Sequence, residues 1–154
     1  MTRPFDIRDA ALPHGTLIEA SAGTGKTHAV AAYVTKALAT SEELRIGEVL
    51  VTTYTRNAAA ELRERIRSRL VVTAQLLRGR AAPPGYRTDE LDTHLLADDA
   101  GRPDMARRLE RAAAEFDTAT IGTIHAICAR VLRMAGVAAS ETGDQELRDR
   151  VLDE

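Results

Sequence analysis

Three short apolar runs mark the chain, each followed by a longer stretch in which apolar residues return every three or four positions. Thr16-Leu17-Ile18-Glu19-Ala20 is the first run, predicting a strand, and after a turn of small residues Thr27 to Val34 reads as a helix. Glu48 to Tyr54 is short and β-branched, predicting a second strand, and Asn57 to about Leu77 predicts a helix. In that helix Leu62, Ile66, Leu70 and Ala74 recur at every fourth position, which makes one buried stripe, while Arg63, Arg65, Arg67 and Arg69 fall on other faces. Thr55 stands where an N-cap is needed. The third unit runs from Ala119 to Thr123 as a strand and from Ile124 to about Met134 as a helix.

The second and third units are separated by a different kind of segment. Ala81-Ala82-Pro83-Pro84-Gly85 breaks the chain, Asp89 to Ala100 is acidic with Leu91, Leu95 and Leu96 at helical spacing, and Met105 to Phe116 predicts a further helix carrying Arg107, Arg108 and Arg111. Strands alternating with helices predict an α/β fold with a parallel sheet flanked by helices, interrupted by a helical insertion over about 81–117. No repeat of solenoid length interrupts this order.

Composition narrows the class. At 154 residues the chain has room for about one domain, and 44% hydrophobic against 3% aromatic residues, with no Trp, implies an aliphatic core. Disordered and collagen-like classes are excluded by an ordinary apolar fraction and ordinary Gly and Pro content. No apolar run reaches the roughly 18 to 20 residues of a membrane span, and MTRPFDIRDA lacks a signal peptide's apolar core, so no membrane partner and a cytoplasmic location are expected. Cys128 is the lone cysteine, which rules out an intramolecular disulfide and a CxxC site; it reads as a small buried apolar residue. His14, His28, His94 and His125 are scattered and do not suggest a metal site.

A net charge of −2 argues against a nucleic-acid partner only until the charges are located. Residues 55–80 carry 7 basic and 2 acidic groups and residues 102–133 carry 6 and 4, whereas 81–101 carry 1 and 5 and the last 21 residues carry 2 and 6. The basic surplus therefore sits on the second and third units, and the total averages unlike parts.

The most specific motif is Ala20-Ser21-Ala22-Gly23-Thr24-Gly25-Lys26-Thr27, which fits GxxxxGK[ST] except for Ala20 at the first Gly. Glycines there allow turns that aim successive backbone N–H groups inward at a helix start, forming an anion nest. Lys26 then reaches the β and γ phosphates, and the Thr27 hydroxyl is placed to ligate Mg²⁺, so ATP and Mg²⁺ are the expected cofactors. Lys26 and Thr27 are the candidate catalytic residues. Hydrolysis also requires a carboxylate at the end of another strand. Asp98-Asp99 follows a helical run and Asp153-Glu154 follows a heavily charged one, so neither pair reads as that acid.

Three segments resemble superfamily 1 DNA helicases in order. Leu17 to Thr27, with the wording Glu-Ala-Ser-Ala-Gly-Thr-Gly-Lys-Thr, is most similar to the RecB family; Val49 to Ile66 resembles motif Ia, and Ile121 to Arg133 resembles the Thr-Ile-His segment of motif Ib. The resemblance covers essentially the whole chain and implies the opening part of a RecA-like, P-loop motor domain of a UvrD/RecB-like DNA helicase and exonuclease subunit. It implies that the DExx acid, the second motor domain and the nuclease domain lie outside this stretch. Single-stranded or duplex-end DNA and RecC- and RecD-like subunits are the partners it implies, in double-strand break repair and recombination. Carried onto this sequence, Thr53, Tyr54 and Thr55 with Arg56 would line a single-strand track after the second strand, Thr123 and His125 after the third, and Arg63 lies close enough to join them. His14 stands where the family often has an adenine-reading Gln. From the residues alone, Tyr54 also reads as a buried strand end and His125 as a helix-start residue bonded to its own backbone. Arg65 and Arg67 read as a salt-bridged face, paired with Glu61 and Glu64. A complete small P-loop NTPase or kinase, and a non-catalytic P-loop binding module, are the competing functions.

Overall fold

Long-range packing begins with three helices. In the computed structural model, which describes residues 5–9, 16–19 and 25–134, α1 spans Lys26–Thr40, α2 Arg56–Leu77, α3 Glu90–Leu96, α4 Arg102–Ala114 and α5 Ile124–Met134. Helices α1, α2 and α4 pack on one another. The predicted stripe of α2 is the centre of that contact: Ile66 and Leu70 are fully buried and Leu62 and Ala74 nearly so, against Leu38 of α1, Leu91 and Leu95 of α3, and Leu109 of α4. Each such aliphatic side chain contributes about 1.5 to 3 kcal/mol by leaving water.

Strands β1 (Leu50–Thr53) and β2 (Thr120–Thr123) run parallel, with Leu50 opposite Thr120 and Thr53 opposite Thr123. Parallel neighbours cannot be joined by a tight turn, and here α2, α3 and α4 form the crossover. The fold is α/β, as the alternation predicts. Both strands are shorter than the runs that predict them, because Ile46–Glu48 and Phe116–Thr118 form single 3₁₀ turns that lead in. Phe116 thus closes the core from a turn after α4 and not from within the helix.

Two expectations fail here. Thr16 to Glu19 form no strand, and Leu17 is 80% exposed; an isolated apolar run gains nothing from an extended form unless a ladder and a covering layer meet it. Cys128 is exposed, not buried, because α5 buries none of its residues among those described.

Arg69 departs most from its expected solvent face. It lies buried, donating to Asp89 at 2.6 Å and Asp92 at 3.2 Å. Thr73 and Tyr86 donate to the two oxygens of Asp92, so the loop before α3, α3 itself and α2 meet in one polar cluster. Burial alone would raise Asp89, but the Arg69 hydrogen bond, the Asp92 backbone N–H and His28 hold it down at about 2. Lys36 of α1 is likewise buried and donates to the carbonyls of Ile7 and Asp9, pinning residues 5–9 to that helix.

Candidate functional site

The carboxyl ends of β1 and β2 lie level, since Thr53 pairs with Thr123, and a helix starts immediately beyond each. Thr55 Oγ1 accepts from the Ala58 N–H at 3.1 Å and Thr123 Oγ1 accepts from Ala126 N–H at 3.2 Å, so both threonines are helix caps. Capping uses the hydroxyl oxygen as an acceptor and leaves each O–H able to donate outward. Neither helix has an acidic residue in its first turn, which keeps the positive ends of both dipoles uncompensated.

Between these helix starts is an open cleft of roughly 660 Å³, lined by Tyr54, Arg56, Thr123 and His125 with small residues Ala59, Gly122, Ala126 and Ala129. Four of the seven residues singled out for DNA are therefore brought together. Tyr54 is 88% exposed, which excludes the buried strand-end reading: it follows the last ladder pair and no described element covers it. Thr53 is half-buried on the strand and Thr55 is exposed at the cap. His125 is exposed in the first turn of α5.

Arg63 does not line this cleft. Its guanidinium is 3.7 Å from Asp117 and 5.4 Å from the centre of the Phe116 ring. Arg65 pairs with Glu61 at 2.9 Å, as its spacing predicts. Arg67 does not turn to Glu64; it lies 4.0 Å from Asp117 and 5.6 Å from the Phe116 ring. A buried aromatic face and an outside carboxylate attract these cations more than a flexible neighbour on the same helix does.

Of the phosphate-loop motif, Ala20, Ser21, Ala22, Gly23 and Thr24 lie outside the described residues, as does His14. Gly25 takes φ +86°, a left-handed conformation that costs an L side chain, and accepts from the Ala29 N–H at 2.9 Å at the mouth of α1. Lys26 is exposed and Thr27 half-buried in the first turn, where no acidic residue is present. His28 follows directly, its Nε2 2.9 Å from Asp89 Oδ2, tying α1 to the cap of α3. Those partners are 61 positions apart, and no local signal marks them. Asp98 accepts from the Gly101 N–H and Asp99 faces Arg102 in the turn between α3 and α4, so neither ends a strand. Asp153-Glu154 lies outside the described residues.

The model of the UvrD/REP helicase N-terminal domain matches residues 7–151. The chain belongs to that family. It is 45% identical over 139 residues to the RecBCD enzyme subunit RecB of Mycobacterium tuberculosis H37Rv, covering 90% of this chain and 12% of the relative. Against the RecB subunit of Escherichia coli K12 the identity is 35%, over 85% of this chain and 11% of that protein. An ATP-dependent helicase/nuclease of Lactobacillus acidophilus is 32% identical, over 78% and 8%. The chain thus spans about an eighth of the length of these UvrD/REP relatives or less. No helix among the described residues is long and apolar enough to cross a membrane.

Proposed function

We propose that this UvrD/REP-family chain is the ATP-binding N-terminal part of a RecB-like ATP-dependent DNA helicase and exonuclease subunit in double-strand break repair and recombination. In this reading residues 1–154 are the opening part of a RecA-like P-loop motor domain with an insertion over about 81–117, and RecC- and RecD-like subunits are its partners. Its nucleic-acid half rests chiefly on one observation: two parallel strand ends, each followed by a threonine-capped helix, border one cleft that also holds Tyr54, Arg56 and His125.

The nucleotide half is supported by the mouth of α1. A left-handed glycine followed by Lys26 and Thr27, with no acidic side chain in the first turn, suits a polyphosphate. Residues 20–27 would cradle the phosphates, Lys26 would neutralise the β and γ oxygens, Thr27 would hold Mg²⁺, and His14 would lie toward the adenine. When bound, MgATP would supply a phosphoryl group whose transfer to water would drive translocation in the full-length protein. In the cleft, the outward O–H groups of Thr55 and Thr123 and the Arg56 guanidinium would donate to backbone phosphates, while Tyr54 offers a ring for a base. These contacts read no base edge, which suits a protein that moves along any sequence.

Binding of a fluorescent ATP analogue and of a labelled oligo-dT to the full chain tests both halves. Lys26→Ala should abolish nucleotide binding and leave oligo-dT binding intact. Tyr54→Ala should weaken oligo-dT by about 5-fold or more, the scale of one lost base stack. DNA-independent hydrolysis that disappears in Lys26→Ala would instead favour a complete small NTPase.

A further inference from the structure

The cleft does not end at the strand termini. On α2, Arg56, Ala59 and Arg63 follow one another at three- and four-residue spacing, so they share a face. The Tyr54 cleft and a second cleft of roughly 210 Å³ share Gly122 and Ala126 in their walls, and the second is lined by Arg63 of α2, Arg130 of α5 and Asp117. The two form one groove that runs between α2 and α5 along β2.

The charges in the inner part are unevenly matched. Arg63 and Arg67 share one carboxylate, Asp117, at 3.7 and 4.0 Å, both longer than a hydrogen bond. Asp117 is 87% exposed, so water screens these pairs and their separation costs little. Both guanidiniums are instead held in place by the Phe116 ring beneath them. Arg130 is exposed on the opposite wall. Cations anchored by an aromatic face, with a loosely attached anion between them, suit exchange of that anion for another.

We propose that this inner groove is a further binding stretch for the phosphodiester backbone of single-stranded nucleic acid, in which Arg63 and Arg130 take phosphates and Asp117 is the resident anion they displace. It rests on the reading of the Tyr54 cleft as a nucleic-acid face and extends it inward from the strand ends, to Arg130 and Asp117 as well as to Arg63. Charge complementarity selects the occupant: among the described residues the groove is lined by Arg56, Arg63 and Arg130 against one carboxylate, Asp117.

Fluorescence anisotropy of labelled oligo-dT of about 12 nucleotides, a length within one single-strand site, tests this on the full chain across a salt series. Asp117→Asn should tighten binding by about threefold, the scale of one exposed charge contact. Arg130→Gln should weaken it similarly and flatten the dependence of log K on log salt by about 0.7, one phosphate fewer. If Tyr54→Ala weakens binding while Asp117→Asn and Arg130→Gln change nothing, the groove assignment is wrong and the cleft reading stands. Absence of oligo-dT binding by the unaltered chain would overturn both. Equal tightening of a poly-glutamate peptide by Asp117→Asn would show a generic anion face and overturn the nucleic-acid assignment. A shift of Asp117→Asn to dimer in sedimentation, with oligo-dT affinity unchanged, would make the groove an interface between copies and overturn it too.

Discussion

Thr55 and Thr123 show how much one side chain determines at the strand ends. Each hydroxyl closes the first turn of a helix, and Thr123 also lines the cleft, which Thr55 borders between Tyr54 and Arg56 in the chain. Thr55→Ala should cost about 1 kcal/mol in urea unfolding, while Thr55→Ser, which keeps the cap, should cost much less. Gly25 is a second such position: at φ +86°, Gly25→Ala should cost about 1 to 2 kcal/mol, and nucleotide affinity should fall further because α1 starts there. Both positions are legible in the sequence because a cap or a left-handed turn involves only residues within about four of it.

Helices α1, α2 and α3 are joined by charge as well as by aliphatic packing. Asp92 is buried and receives Arg69, Thr73 and Tyr86, so Asp92→Ala, which leaves Arg69 with Asp89 alone and takes the acceptor from the Thr73 and Tyr86 hydroxyls, should cost about 1 to 3 kcal/mol in urea unfolding. Asp89 adds a pH dependence. Its folded carboxyl is held at about 2, below an unfolded value of about 3.9, so its stabilisation is complete above about pH 4 and is lost as pH falls through about 2. The unaltered chain should therefore lose more stability between about pH 4 and 2 than Asp89→Asn does. None of this is visible in the α2 sequence, where Arg69 looks like its exposed neighbours: a helical period tells which residues share a face, not what another element brings to it. Helix α5 makes the same point in reverse. Ile124, Val131 and Leu132 have amphipathic spacing but are exposed, since no described element covers them.

Charge over the entire chain nearly cancels, at −2, yet α2 and α5 together carry seven arginines against two glutamates, and the acidic surplus lies in the insertion and the last 21 residues. Nucleic-acid binding should then be steeply salt-dependent despite the total. Arg56, Arg63 and Arg130 on three phosphates predict a slope of about −2 in log K against log salt, whereas a slope near zero would mean that the cations do not meet the backbone. By itself the sequence determined the alternation of strands and helices, the buried stripe of α2, the Thr55 cap and the phosphate-loop wording, and with these the family. Each depends on neighbours a few positions away or on a contiguous motif. The folded chain alone decided that His28 meets Asp89 across 61 positions and Arg69 meets it across 20, that Arg63 and Arg67 share Asp117, and that Thr16 to Glu19 and Cys128 stay exposed. Those outcomes depend on which surfaces are brought together in space, and no local period encodes that.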